Sequence, residues 1–259
     1  MRVYILTDIE GAAGVASFQD DSYADGRFYL KARSLLTQEV NAAVDGALAA
    51  GATEVVVLDG HGSGAINPEE LHEEAKLIHG RGPFPKGMLL DRGFDAMMFV
   101  GQHAMNNVPD GNLCHTYSSR EIDEMRLNGV PIGEFGLRTY LAGYYGVPVV
   151  MLTGDEAACR EARELVPAIV TVAVKEGLSR TRALSLSPAK ARALIRQGAV
   201  RALSLRSEIK PVPPPPPPYR LEVRYLRAES AEKSEKAGAR RVDDVTVAYE
   251  SDDFLDIAR

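Results

Sequence analysis

Short apolar runs alternating with helical patterns constrain this chain more than any other feature. Residues 3–6, 54–58, 96–100, 147–152 and 170–174 are dominated by Val, Ile, Leu, Met and Phe. Near-continuous apolar runs of this length suit strands covered on both faces, as in a parallel sheet. Between the first two, residues 28–50 set Leu35, Leu36, Val40, Ala43, Val44 and Leu48 at helical spacing and stop at Gly51. Further helices are expected over 134–145 and, capped by Asp155, as far as about residue 165. A short one is expected over 67–75, with Asn67 as N-cap and Pro68 in the first turn. Residues 116–130 interrupt the pattern and read as an antiparallel excursion turning at Asn128-Gly129. The fold class that follows is α/β: a mainly parallel sheet covered by helices, a Rossmann-like three-layer core.

The pattern changes after residue 182. A basic amphipathic helix is expected over 187–205, then a stiff polyproline spacer built from Pro211 and the run 213–218. Two exposed strands are expected at 221–226 and 245–249, with a charged, flexible, solvated stretch over 229–241 between them. This divides the chain into an α/β core, 1–182, and a smaller C-terminal α+β lobe, 183–259, with a Pro-rich linker at 211–218. A length of 259 residues accommodates both. A hydrophobic share of 45% and a charged share of 25% are ordinary for a soluble globular protein. Apolar runs stop short of a membrane span and the N-terminus lacks the form of a signal peptide, so no membrane partner is expected. A net charge of -6 argues against a nucleic-acid partner. Cys114 and Cys159 form no CxxC motif and are too few for a disulfide framework, which makes the cytoplasm the default compartment.

Chemistry concentrates where the apolar runs end. In an extended chain, residues i and i+2 point the same way, so Asp8 and Glu10 aim two carboxylates together from the end of the first strand. Open α/β sheets place their sites on that edge. Two carboxylates this close repel unless a positive group lies between them, and a metal ion is the simplest one. His61 follows the second strand in Asp59-Gly60-His61-Gly62, and His103 follows the third in Gly101-Gln102-His103-Ala104. His115 comes soon after, and Glu134 opens a helix. This mixed nitrogen and oxygen set suits zinc or another first-row metal. Each residue also has a plainer role: strand-end acid for Asp8, loop cap for Glu10, hydrogen-bonded structural imidazole for His61 and His103, helix N-terminal acid for Glu134. His72 and His79 read as surface residues. Cys114 beside His115 reads as a small buried side chain rather than a nucleophile. Asp59 is expected to orient His61, and Lys175 and Arg180 are candidates for a substrate carboxylate. The Gly-rich stretches 11–14 and 60–64 match neither GxGxxG nor GxxxxGK[ST], so they do not mark a nucleotide site.

Taken in order, Leu6-Thr7-Asp8-Ile9-Glu10-Gly11, Asp59-Gly60-His61, Gly101-Gln102-His103-Ala104, His115 and Val130-Pro131-Ile132-Gly133-Glu134-Phe135-Gly136-Leu137 resemble the zinc-dependent D-aminopeptidase family. The likeness runs to about residue 210 and weakens beyond it. It implies a two-zinc site with Asp8, Glu10, His61, His103 and Glu134 as ligands and Asp8 as the bridge. It implies His115 as the catalytic group, acting as general acid/base on a metal-activated water or as the nucleophile itself. It also implies short peptides with N-terminal D-residues, D-Ala-D-Ala among them, as substrates, and a homodecameric ring. Two other classes compete: a metal-dependent phosphoesterase or amidohydrolase on a similar sheet, and a non-catalytic module with a vestigial metal site. The full set of donors argues against the second. The absence of a D-x-H pair at the first strand and of a basic phosphate clamp weighs against the first.

Overall fold

The computed structural model describes residues 1–80, 82 and 85–258. The strands, in chain order, are β1 (Arg2–Thr7), β2 (Glu54–Asp59), β3 (Ala75–Ile78), β4 (Ala96–Gln102), β5 (Ile122–Leu127), β6 (Val130–Pro131), β7 (Val149–Asp155), β8 (Val170–Ser179), β9 (Arg182–Ser185), β10 (Tyr219–Tyr225), β11 (Arg240–Arg241) and β12 (Thr246–Ser251). The α-helices are α1 (Tyr29–Ala49), α2 (Glu134–Tyr144), α3 (Glu156–Leu165), α4 (Pro188–Ser204), α5 (Ala228–Lys236) and α6 (Phe254–Ile257).

Seven strands form the main sheet in the order β3-β2-β1-β4-β7-β8-β9, parallel except for β9. The central strands carry Val3, Tyr4, Ile5, Val55, Val57, Met98, Phe99 and Leu152 without solvent exposure, as a doubly covered sheet requires. Helix α1 packs on α4 and α2 on α3, and each pair packs against the central strands β4 and β7. The α/β class and the helix-covered, mainly parallel sheet expected from the sequence are what the chain adopts.

Connections from β1 run toward β2 and β3, whereas β4 leads to β7 and β8 on the other side. The crevice between the C-terminal ends of β1 and β4 is thus the point where strand order reverses, the usual ligand position in such sheets. Two glycines bring these ends together. Gly11 donates to the Gly101 carbonyl at 2.7 Å. A Cβ on Gly11 would meet the Gln102 carbonyl oxygen at 2.2 Å, and one on Gly101 (φ +78°) would meet the Asp8 oxygen at 2.0 Å. Side chains larger than hydrogen would push β1 and β4 apart.

The second sheet has the order β11-β12-β10-β5-β6 and is antiparallel. The excursion at 122–131, turning at Asn128-Gly129, forms as expected, but it pairs with β10 from the far end of the chain. Helix α4 in turn packs on α1 and β8 of the main sheet. The expected boundary at residue 182 therefore does not coincide with the packing: the second sheet draws strands from both sides of it. Strands β10 and β12 bury Leu221, Val223 and Val247 rather than standing exposed, because β5 pairs along the edge of β10 and helices α5 and α6 pack on the two strands. The stretch 229–241, expected to be flexible, contains helix α5, which buries Ser230 and Ala231. Residues 67–75 are turns rather than a helix; Asn67 caps only locally, and Ala75 already begins β3. Among the described residues, no helix is long and apolar enough to cross a membrane.

Candidate metal centre and active site

Three strand ends and one helix start deliver the expected residues to one place. Asp8 and Glu10 follow β1, His61 follows β2, His103 follows β4, and Glu134 opens α2. Asp8 spans two imidazoles: its Oδ1 lies 3.2 Å from His61 Nδ1 and its Oδ2 lies 3.1 Å from His103 Nε2. Glu10 Oε2 lies 3.3 Å from His61 Nδ1. Glu134 Oε1 lies 3.5 Å from His103 Nε2 and 3.9 Å from His115 Nε2. His115 stacks on His103, ring centroids 3.9 Å apart, and takes the edge of Phe18 at 5.5 Å. Asp8, Glu10, His103 and His115 are all buried.

The outer nitrogens of the three imidazoles decide what the inner ones can do. His61 Nε2 meets the Ser22 carbonyl at 3.0 Å, His103 Nδ1 the Ala104 carbonyl at 2.9 Å, and His115 Nδ1 the Leu113 carbonyl at 2.9 Å. A carbonyl only accepts, so each of these nitrogens carries the hydrogen and donates. The other nitrogen of each neutral ring then presents a lone pair to the carboxylates. Lone pairs and carboxylate oxygens facing one another in a buried space require a cation or added protons. An imidazole fixed by a backbone carbonyl is the usual arrangement of a metal-binding histidine. Glu10 Oε2 and His103 Nε2 are buried without a hydrogen-bond partner, which leaves them as donors for such a cation. Two donor triplets converge, Asp8 with Glu10 and His103, and His103 with His115 and Glu134, the ligand atoms within 4.8 Å of one another in each.

The ionisation behaviour follows the same logic. Burial opposes charge on His61, yet the Glu10 and Asp8 carboxylates beside it hold its pKa well above the ordinary value. Burial likewise opposes charge on His103, but Asp8 and Glu134 outweigh it and raise its pKa. Burial and the neighbouring Glu10 push Asp8 up. Burial is overcome for Glu134, which His103 and His115 hold at about 2. His115 moves the other way: burial and the charge of His103 lower its pKa. A metal-free fold therefore keeps protons on His61 and His103 where a cation would otherwise sit.

Local structure locks these side chains. A single π-turn, Phe18–Ser22, brings the Ser22 hydroxyl to Glu10 and its carbonyl to His61. Short π-helical segments of this kind recur at functional sites. Leu113 (φ +53°) and Tyr117 (φ +56°) flank His115 in the left-handed region, unusual for side chains of this size. The Tyr117 amide donates to Glu134 Oε1 at 2.6 Å. Lys175 is buried, its ammonium donating to the Glu10 carbonyl, to the Val15 carbonyl at 2.7 Å and to Asn112 Oδ1 at 2.8 Å. It ties the Glu10 loop to the segment leading to His115 and has no donor left for a substrate carboxylate. Arg180 donates through Nε to the Cys114 carbonyl at 3.2 Å and lies over Phe18. Asp59 does not orient His61; its carboxylate accepts from the Ala65 and Ile66 amides at 2.9 and 3.0 Å. The Ser22 carbonyl takes that role.

An open cavity of about 340 Å³ adjoins the cluster, lined by Asp8, Glu10, His61, His115 and Glu134 and also by Ser118, Ser119 and Arg120. Nothing in spacing or periodicity distinguishes Ser22, Tyr23 or Arg120 in the sequence; Ser22 ends the short π-turn, and Tyr23 and Arg120 lie in loops.

The family model for D-aminopeptidases, Peptidase_M55, matches residues 1–259. The chain belongs to the D-aminopeptidase family. It is accordingly a metallo-aminopeptidase, a hydrolase of peptide bonds, and the phosphoesterase alternative falls away. This family member is 38% identical over 218 residues to the D-aminopeptidase of Bacillus subtilis (strain 168), covering 83% of this chain and 78% of that one. The solved structure of the Zn-dependent D-aminopeptidase DppA from Bacillus subtilis, described as a self-compartmentalizing protease, superimposes with a TM-score of 0.90 at 35% identity. The match covers 100% of this chain and 94% of the DppA chain.

Proposed function

We propose that this chain is a dizinc D-aminopeptidase that removes N-terminal D-residues from short peptides such as D-Ala-D-Ala. The observation that carries the reading is the pair of inward ring nitrogens on His61 and His103 facing Asp8, Glu10 and Glu134. These five residues would hold the two ions, with Asp8 as the bridge because its two oxygens face different imidazoles. Zinc supplies Lewis acidity that polarises the scissile carbonyl and lowers the pKa of an attacking water.

The chain's own residues do the rest. The hydrogen bond from His115 Nδ1 to the Leu113 carbonyl leaves Nε2 free to accept a proton. Burial keeps that ring neutral near pH 7, the form a general base needs. His115 takes a proton from the attacking water and returns it to the leaving amine. Direct attack by His115 Nε2 is the competing role, and trapping of an acyl-enzyme would distinguish it. The Ser22 carbonyl and hydroxyl hold His61 and Glu10 in place. The small cavity favours substrates of two or a few residues.

The same proposal extends to assembly and compartment. The description of DppA as self-compartmentalizing supports an oligomeric assembly, and the family resemblance implies its form, a decameric ring of two stacked pentamers. Leu30, Val130, Leu178 and Leu184 are large apolar side chains exposed on the single chain and available for such contacts. A cytoplasmic setting accords with Cys114 and Cys159 as buried free thiols.

A hydrolysis panel of matched D- and L-aminoacyl dipeptides on the zinc-loaded protein tests the reading. Cleavage of the D-series is expected. Cleavage confined to the L-series would overturn the stereochemical assignment, and no cleavage of either would overturn the function.

A further inference from the structure

We propose that Arg120 recognises the free C-terminal carboxylate of the peptide substrate and so selects short free peptides over C-terminally blocked ones. This rests on the aminopeptidase reading. The scissile carbonyl must lie at the cluster of Asp8, Glu10, His61, His103 and Glu134. The ends of an extended dipeptide lie no more than about 7 Å apart. The carboxylate of a bound dipeptide therefore stays inside the same cavity, whose cluster side is lined by acids that repel it.

Among the described residues, the cavity wall carries two guanidinium groups, Arg120 and Arg138. Arg138 is engaged: it lies over the Tyr117 ring at 5.4 Å and donates to the Ala258 carbonyl at 3.4 Å. Lys175 is held by backbone carbonyls, and Arg180 gives its Nε to the Cys114 carbonyl and does not line the cavity. Arg120 differs from all three. Its guanidinium carbon lies over the Tyr23 ring, 3.7 Å from the centroid, a separation at which the two planar groups stack. Tyr23 is itself fixed, stacked on Phe18 and bonded through its hydroxyl to Ser119 Oγ at 3.1 Å. Stacking uses the face of the guanidinium and leaves its edge, where the N–H donors point, for another group. Two parallel N–H donors on that edge match a carboxylate. Among the described residues, no carboxylate or carbonyl takes a hydrogen bond from Arg120, and its side chain is exposed. The platform thus holds a carboxylate-binding fork on the wall of the cavity that adjoins the metal-ligand cluster.

The test compares D-alanyl-D-alanine with D-alanyl-D-alaninamide on the zinc-loaded wild type, Arg120→Ala and Arg120→Lys. In the wild type, kcat/KM favours the free acid. In Arg120→Ala the acid-to-amide ratio of kcat/KM falls about tenfold, chiefly through KM for the acid. Arg120→Lys keeps the charge without the fork and gives an intermediate ratio. Calorimetric titration with a non-hydrolysable dipeptide analogue, as free acid and as carboxamide, reproduces the same shift in Kd. Equal ratios in wild type and both variants overturn the assignment and leave the aminopeptidase reading standing. A wild type that cleaves neither compound overturns both.

Discussion

Two clusters of charge in this molecule obey opposite rules. On the second sheet, Arg220 pairs with Glu222 and Glu250, Arg240 with Glu250, and Arg126 with Glu124. Opposite signs meet along β5 and β10 and across to β12, partly in solvent, and the cluster is complete by itself. At the edge of the main sheet, Asp8, Glu10 and Glu134 converge in a largely dry space with three imidazoles as their neighbours. This second cluster is satisfied only by protons or by cations from outside. A surface network needs nothing further and contributes little. A buried arrangement with one sign in excess costs stability and persists where something binds.

The difference can be pressed hardest at Asp8. Asp8→Asn removes the proposed bridge between the two zinc ions. It is expected to weaken zinc binding more than about 100-fold and to reduce kcat/KM to near background. Metal content after gel filtration, measured beside activity, checks this; full zinc content in an inactive variant would break the link between cluster and metal.

His115 probes the same cluster from the catalytic side. His115→Ala is expected to lower kcat about 10²–10⁴-fold while zinc content stays near that of the wild type. Simultaneous loss of one ion would make His115 a ligand, as its 3.9 Å approach to Glu134 beside His103 allows.

Proton release sharpens the contrast between protons and cations. His61 and His103 carry raised pKa values in the metal-free fold because carboxylates outweigh their burial. Zinc binding at pH 7 is therefore expected to expel about two protons per chain. Calorimetry in buffers of different ionisation enthalpy reads that number, and buffer-independent heats would contradict it.

A buried acid outside the cluster behaves differently again. Burial pushes the Glu39 carboxyl up to about 7, against the opposing hydrogen bond from the Ala13 amide. The folded state holds a proton that the unfolded chain releases above about pH 4.5. Stability from Glu39 is full below that pH and is lost as pH rises through 7. Relative to wild type, Glu39→Gln is expected to gain roughly 2–3 kcal/mol between pH 4.5 and 8. Urea midpoints at the two pH values measure it, and parallel pH profiles would refute it.

The smallest effect is expected in the surface network. Arg220→Ala should change stability by less than about 1 kcal/mol and leave the activity near wild type. A large loss of activity would mean that the second sheet supports the site more directly than its exposed pairs suggest.

Legibility in the sequence followed the same division. The main sheet was readable because its strands are buried on both faces, so Val3, Tyr4, Ile5 and Val55, Val56, Val57 announce themselves as apolar runs. The gathering of Asp8, Glu10, His61 and His103 was readable because each follows a strand of one parallel sheet, and parallel strands end on one side. Glu134 was readable as a helix start. The second sheet was harder, because pairing of β5 with β10 joins residues about a hundred positions apart and half its side chains face solvent. Loop contributions were invisible. The π-turn that brings Ser22 to Glu10 and His61, the capture of Asp59 by the Ala65 and Ile66 amides, and the burial of Lys175 depend on loop paths. Hydrophobic period carries no information about such paths. Helix α5 was read as flexible because charge dominates its composition, though Ala231 packs fully against the second sheet.

The central claim is that Asp8, Glu10, His61, His103 and Glu134 hold a pair of cations. Anomalous diffraction from zinc-loaded crystals, recorded on both sides of the zinc absorption edge, tests it most directly. Two anomalous peaks are expected, bridged by Asp8, one beside His61 and Glu10 and the other beside His103 and Glu134. A cluster without anomalous density, with zinc bound elsewhere on the chain, would contradict the account.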